Sequence, residues 1–444
     1  MKKVLGIFLL FFLFCINSVE AKQIKNDISS IIKDFGVDMD SLAVSIKDVK
    51  GKKLYTLNDK MLMNPASVQK MLTIVPIVET LGEDYVFETE LYSMPNDEYV
   101  IKLGADPYLT SKDLKTLVSD IKPETQKISI DDTVLDNKTW GEGWHWDDDM
   151  NVLMPRFGAY NLDKNLVKLT IMPSHKGQFA TIINPSKYPL VFFNNIVTDD
   201  KTQIDVRRDN AVSANTLMLS GTVARPTVIY VPTVNLKGYF NIQLTRGLEE
   251  KGIYLKHSIV PAKLKKTEAL SNRITHPIDI AIVDVLKNSN NLVSETLFKL
   301  AGAKYSNLET GTDSAGIKMF NDYCVKNQLD NSRIRIADAS GVSKNNLISA
   351  DFISEFLLVN EDNKVMKNLP KPGEGTLTHR MLPIKENLRA KTGSLSDVSA
   401  IAGYLTTKKG NKITFCIMIN DVQLSSSDKK MLEDYIIREA YLTL

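Results

Sequence analysis

Ser67 and Lys70 stand three residues apart in the stretch N-P-A-S-V-Q-K-M-L (64–72), ahead of an apolar periodic run through Val75, Val78 and Leu81. Positions three apart share a helix face, so the hydroxyl and the amine would lie side by side on the first turn. A serine hydroxyl is a weak nucleophile and needs a base within hydrogen-bond reach. A lysine amine can be that base when burial or a neighbouring cation lowers its pKa from about 10.4. The pair alone says little, because a serine cap followed by a solvated lysine is common at helix starts. Two later clusters change its weight: S-N-N at Ser289–Asn291 and K-T-G-S at Lys391–Ser394. Three such motifs in one chain are far less expected by chance than any one. Thr392 and Ser394 are two apart on a strand-like stretch, so both hydroxyls face one side, and Lys391 adds positive charge. Such a group of donors suits a carboxylate, which accepts charge-assisted hydrogen bonds.

The elements that must position these residues follow from periodicity. Residues 26–35 read as a first helix, and Leu42–Asp48 and Lys53–Asn58 as two strands turning at Lys50-Gly51. The helix opened by Ser67 contains Pro76, which lacks an N–H donor and predicts a kink. Helical patterns over Pro277–Leu286 and Leu292–Leu300 break at Ser289–Asn291. That break could aim short polar side chains into a cleft, or be an ordinary turn, which favours the same residues. A strand-like Arg333–Ile336 precedes the polar turn Asp338–Ser343. Leu388–Ser394, Val398–Thr406 and Lys412–Asn420 read as antiparallel strands, and Asp428–Leu442 as a closing amphipathic helix.

Between Glu83 and Leu270 the pattern changes to short alternating runs separated by Asp, Asn, Gly and Pro turns. Strands are expected at Val86–Tyr92, Tyr99–Leu103, Lys168–Met172, Phe179–Ile183 and Thr227–Val231, with a helix over Phe240–Gly252. Trp140–Asp149 places three tryptophans beside three aspartates. This could be a sugar or metal site, but an aromatic plug against the main domain with a solvated acidic loop suits it better. The whole reads as an α+β protein: an antiparallel sheet flanked by helices, interrupted by a long strand-rich insert.

Composition narrows the classes. With 444 residues, the chain can carry more than one domain. A net charge of +2, without a dominant basic block, argues against nucleic acid as the partner. Lys2 and Lys3 precede an apolar run from Val4 to Ile16, and Val19-Glu20-Ala21 supplies small residues for cleavage, so residues 1–21 read as a signal peptide. An uncleaved anchor is the alternative. Cys15 follows the bulky Phe14, which does not suit lipoprotein processing. Beyond the leader no stretch is long and apolar enough to span a bilayer. Cys324 and Cys416 are expected as buried thiols rather than a disulfide, lying on a helical and a strand-like pattern respectively. His145, His175, His257, His276 and His379 are scattered without metal-ligand spacing.

The chain resembles class C low-molecular-mass penicillin-binding proteins, the D-Ala-D-Ala carboxypeptidase/endopeptidase family, over nearly all of its length after the leader. The resemblance runs through N-P-A-S-V-Q-K (64–70), G-A-D-P-Y-L (104–109), G-W-H-W-D-D (143–148) and N-S-N-N-L-V-S-E (288–295). It continues through D-A-S-G-V-S (338–343), G-E-G-T-L (373–377) and A-K-T-G-S-L-S-D-V-S-A-I-A-G-Y (390–404). Two departures are Ala339, where the family commonly has Gly, and Ser394, where Thr is commoner. The resemblance implies a β-lactamase/transpeptidase-like domain from residues 22–82 and 271–444, interrupted by an inserted region 83–270 of two small subdomains. It also implies an exported, periplasmic or envelope-associated serine DD-carboxypeptidase, with DD-endopeptidase activity as a further capacity. Its partners would be peptidoglycan stem peptides and β-lactams, and it implies no metal or organic cofactor.

Carried over by residue, Ser67 is the nucleophile, Lys70 its base, Ser289 the proton shuttle and Lys391 the holder of the charge network. Asn291 would hold the substrate amide, and Thr392 and Ser394 the terminal carboxylate. Gly393 lets the strand approach the substrate, and the N–H groups of Ser67 and Ser394 form an oxyanion hole. A β-lactam-hydrolysing enzyme and a non-catalytic penicillin sensor are the alternatives. The long interval between Ser67 and Ser289 disfavours the first, and the three intact motifs disfavour the second.

Overall fold

The computed structural model describes residues 28–125, 127–255, 259–264, 269–421 and 423–444. The expected signal peptide and His257 lie outside them. The described chain falls into two compact units. One takes the chain up to Glu79 with Ile282–Asn290 and Ile317–Leu444; the other takes Thr80–Ala281 and Asn291–Gly316.

The first unit is built on a five-stranded sheet of β1 (Leu42–Asp48), β2 (Lys53–Leu57), β3 (Leu388–Ser394), β4 (Val398–Thr406) and β5 (Lys412–Asn420). Their spatial order is β3-β4-β5-β1-β2, with every neighbouring pair antiparallel. Alternation assigns the two faces. Leu42, Val44, Ile46, Leu388, Ala390, Ile401, Phe415 and Ile417 share one core with Ile28 and Ile32 of the helix at 28–34. Leu432, Ile436 and Ile437 of the closing helix Ser426–Thr443 complete that core. The other face meets helix Ala350–Val359: Tyr404 Oη donates to Leu357 O at 2.8 Å, and Lys47 Nζ lies 2.7 Å from Asp351. The end strand of this sheet, β3, carries the K-T-G-S motif.

The serine-bearing helix differs from its sequence reading. Ala66–Val68 forms a single 3-10 turn, and α1 (Gln69–Leu81) begins after it. Apolar positions off the expected stripe, Ile74 and Ile77, are as buried as Met71, Leu72 and Val75. A helix that is apolar all round belongs in an interior. The α-helix continues through Pro76 as one element. Arg333–Ile336, expected as a strand, makes only one isolated bridge, Arg335 with Leu347.

The second unit holds a five-stranded mixed sheet ordered Val260–Pro261, Lys127–Asp131, Glu98–Lys102, Val86–Met94, Ala269–Pro277. Two three-stranded sheets and helix Leu236–Glu249 share its core, around Leu91, Ile101, Val167, Leu219 and Phe240. Trp144 packs on Trp140 (5.0 Å) and Phe157 (5.7 Å), all in this unit. Asp149 pairs with Arg208 at 3.0 Å, and Trp146 is 82% exposed. Among the described residues no cluster of three His, Cys, Asp or Glu could hold a metal, and no helix is long and apolar enough to cross a membrane.

Candidate active site

The serine turn is strained and then locked. Ala66 takes φ +43°, a left-handed conformation that costs a non-glycine residue about 1–3 kcal/mol. Asn64 Oδ1 accepts the Ala66 N–H at 2.8 Å, and Asn64 Nδ2 donates to Ser343 O at 2.9 Å. The loop 338–343, which carries that Ser343 carbonyl, presses against the turn. A Cβ on Gly341, itself at φ +80°, would lie 1.9 Å from Ala66 O, so no other residue fits there without moving the turn.

That loop is held by a buried polar network. The Asp338 carboxylate accepts the N–H groups of Gly341 and Ser343, both at 2.8 Å, and Asn346 Nδ2 at 2.8 Å. Asn346 Oδ1 in turn accepts Ala337 N–H at 2.7 Å and Gln69 Nε2 at 3.1 Å; Gln69 also donates to the Asp338 carbonyl. The result is a fixed main-chain acceptor. Lys70 Nζ donates to Ser340 O at 2.6 Å and to Ser67 Oγ at 2.8 Å. The lysine is fully buried. The Ser67 hydroxyl and the Lys70 amine are in hydrogen-bond contact, as the three-residue spacing predicts, an arrangement that suits a nucleophile and its base.

A second hydroxyl–amine pair belongs to the same unit. Ser289 sits at φ +61° in a turn whose Asn288 and Asn290 amides donate to Asp284 at 2.9 and 2.7 Å. Lys391 Nζ, from β3, donates to Ser289 Oγ at 2.9 Å and to its neighbour's carbonyl, Thr392 O, at 2.8 Å. Burial pushes the Lys391 amine well below the usual lysine range, and the charge of Lys70 pushes it further the same way. Burial and a neighbouring cation are the conditions under which a lysine amine can serve as a base.

The rest of β3 runs beside the serine turn. A Cβ on Gly393 would lie 2.8 Å from both Pro65 O and Ser67 N, so this close passage needs glycine. Thr392 is nearly buried and its hydroxyl donates to Thr376 Oγ1 at 2.6 Å; Ser394 is exposed. Every predicted site residue except Asn291 lies in this unit. Asn291 opens helix Asn291–Ser306 of the second unit, where it is buried and donates to Leu153 O at 2.7 Å. Sequence reasoning missed Asn64, Gln69, Asp284, Asn346 and Thr376. Asn64 and Gln69 carried a signal by lying inside the serine motif, and Thr376 by lying inside G-E-G-T-L (373–377).

Comparison with known proteins agrees with this geometry. The sequence matches the profile of the D-Ala-D-Ala carboxypeptidase 3 (S13) family over residues 24–440. It is similar to the D-alanyl-D-alanine carboxypeptidase DacB of Haemophilus influenzae, 26% identical over 414 residues, covering 84% of each chain. The fold is similar to a crystal structure of penicillin binding protein 4 from Haemophilus influenzae, with TM-score 0.81, 22% identity and coverage of 94% of this chain and 99% of that one. It is similar also to that protein complexed with a β-lactam, with TM-score 0.76, 23% identity and the same coverage. A match spanning almost the whole chain, over a unit in which Lys70 touches Ser67 and Lys391 touches Ser289, leads to one conclusion: the chain belongs to the D-Ala-D-Ala carboxypeptidase 3 (S13) family and is a serine-type D-Ala-D-Ala carboxypeptidase.

Proposed function

We propose that the reaction runs through an acyl-enzyme on Ser67. Neutral Lys70 takes the hydroxyl proton as Oγ attacks the carbonyl between the two D-alanines of a peptidoglycan stem peptide. The N–H groups of Ser67 and Ser394 hold the oxyanion; loss of such a donor in another serine enzyme costs about 3–4 kcal/mol. Ser289 passes a proton to the leaving D-alanine amine and is resupplied from the lysine side. Asn291 holds the substrate amide, Thr392 and Ser394 the terminal carboxylate, and Gly393 lets the peptide lie along β3. Water then attacks the acyl carbonyl, the lysine takes the proton it releases and hands it to Ser67 Oγ, and Ser67 leaves as a hydroxyl. The observation that carries this reading is the pair of contacts Lys70–Ser67 (2.8 Å) and Lys391–Ser289 (2.9 Å).

On the same reading residues 22–82 and 271–444 form the catalytic domain and 83–270 an insert of two small subdomains. Residues 1–21 direct export, and the enzyme works in the periplasm or cell envelope. β-Lactams acylate Ser67 and leave it slowly, as substrate mimics whose acyl group blocks the site; the similar fold complexed with a β-lactam supports this. Cross-linked stem peptides, cut as an endopeptidase would, are a second substrate of the same centre.

The test is turnover of a peptide ending in D-Ala-D-Ala, followed by release of D-alanine, alongside the rate at which penicillin-labelled enzyme recovers. Release of D-alanine with recovery over many minutes is expected. Recovery within seconds would make the enzyme a β-lactam hydrolase instead. A purified cross-linked dimer left uncut would remove the endopeptidase activity.

A further inference from the structure

The segment G-E-G-T-L (373–377) has no part in the chemistry above, yet it lies against it. Thr392 donates its hydroxyl proton to Thr376 Oγ1 at 2.6 Å. A hydroxyl has one proton and two acceptor sites. When Thr392 turns that proton to a substrate carboxylate, the adjacent Thr376 hydroxyl can donate in its place, to the lone pair Thr392 then presents or to the carboxylate. Thr376 itself is exposed, so a ligand can reach it.

Its backbone is not loose. On one side, Glu374 is paired with Lys287 at 2.8 Å, two residues before Ser289. On the other, Arg380 donates to Glu433 at 2.8 Å and to Asp434 at 3.0 Å. Glu433 is fully buried and accepts Ser399 Oγ at 2.6 Å, and Ser399 of β4 is the register partner of Ser394 on β3. Leu377 is buried in the core of the sheet. The strap is tied on one side to Lys287, beside the turn that carries Ser289, and on the other, through Glu433 and Ser399, to β4, the strand next to β3. A surface threonine with an incidental bond would not need such anchoring.

We propose that Thr376 is a positioning residue for the carboxylate of the terminal D-alanine, acting by orienting the Thr392 hydroxyl. This rests on the assignment of Thr392 to that carboxylate. It gives Thr376 a share in the choice of a free acid over an amide, because a carboxylate accepts charge-assisted hydrogen bonds from the hydroxyls on both oxygens whereas an uncharged amide offers one weaker acceptor.

The experiment compares wild type, Thr376→Val, Thr376→Ser and Thr392→Val on a D-Ala-D-Ala peptide with a free C-terminus and on its C-terminal amide. Values of kcat and KM are measured separately, and thermal midpoints check that each variant is folded. Thr376→Val should lower kcat/KM for the acid about tenfold, mainly through KM, and leave the amide within about twofold. Thr376→Ser, which keeps the hydroxyl, should restore the acid to within about threefold of wild type. An unchanged acid-to-amide ratio in Thr376→Val, or an equal loss on both peptides, overturns the inference. If Thr392→Val loses the preference while Thr376→Val keeps it, only the role of Thr376 falls. If Thr392→Val also keeps it, the carboxylate assignment itself falls, and this inference with it.

Discussion

As the base proposed for Ser67, Lys70 needs a lone pair on its amine. Its amine donates to Ser340 O at 2.6 Å and to Ser67 Oγ at 2.8 Å, contacts that hold it beside the serine. Lys70→Arg keeps the charge but not the base, since a guanidinium stays protonated. Acylation by a fluorescent penicillin should fall at least about a hundredfold in Lys70→Arg and vanish in Ser67→Ala. A near-normal acylation rate in the arginine variant would remove Lys70 from proton transfer.

Lys391 gives a pH signature. Its pKa in the folded protein lies well below the unfolded value near 10.5. Unfolding between those two values takes up a proton, so this lysine's contribution to stability rises with pH across that window. Lys391→Met should lose most peptidase activity, keep or raise the neutral-pH melting temperature, and show a flatter rise of stability with pH. A large drop in melting temperature would show the buried amine to be a net stabiliser.

At this scale the sequence was legible where two side chains meet at short spacing, as Ser67 and Lys70 do. The contact of Lys391 with Ser289, 102 residues away, follows from no spacing rule, although both residues stand in motifs visible in the sequence. The sequence was silent where the partner is a main-chain atom, as with Ser340 O. It was silent also where the partner is a common amide from a distant segment, as with Asn346 beneath Gln69.

Among the elements, the loop 338–343 shapes the serine turn as much as the turn's own residues do. Gly341→Ala adds a methyl 1.9 Å from Ala66 O at a left-handed φ. Destabilisation of about 1–3 kcal/mol is expected, with penicillin acylation slowed at least about tenfold as the turn shifts. Full acylation at normal stability would show that loop and turn move independently.

Across the sheet, Asp351 bridges Lys47 at 2.7 Å and Lys53 at 3.0 Å. Burial alone would raise its pKa, but hydrogen bonds and charge from the two lysines outweigh this and hold it below the usual carboxylate value. A depressed carboxylate stabilises the fold above its unfolded pKa, about 3.9, and that contribution is lost as pH falls through the folded value. Asp351→Asn should therefore lower the melting temperature at pH 7, and the gap to wild type should close below about pH 4. A gap independent of pH would assign the loss to packing.

Strands β3, β4 and β5 were readable because buried β-branched and apolar residues repeat along them. Arg333–Ile336 had the same alternation but lacks a continuous partner, and pairing is not a local property. Helix α1 read as one-sided and is buried all round, because the sequence does not show what covers its second face.

For the whole molecule, the thiols report on the completeness of packing. Cys324 and Cys416 are buried and unpaired, and burial pushes Cys324 up to about 12 and Cys416 up as well. Both should resist alkylation at pH 8 in the native protein and both should react after denaturation without reductant. A need for reductant would establish a disulfide and refute this. The division into two units was only partly legible. A strand-rich insert is visible in the turn chemistry, whereas the passage of Asn291–Gly316 to the second unit is not, since a helical pattern does not say which core it serves.

The sheet's register has a temporal consequence. Strand β1 pairs on one side with β5, Leu42 opposite Ile419, so nearly the earliest strand to be made waits for nearly the last. Closing so long a loop is slow, and the half-built sheet exposes an unpaired edge. Lys391 also arrives late, long after Ser67. A chain emerging amino end first thus carries Ser67, the proposed nucleophile, for most of its synthesis without the strand that bears Lys391. Activity should switch on once, near the end, and a chain cut short before Lys412 should have none to leak.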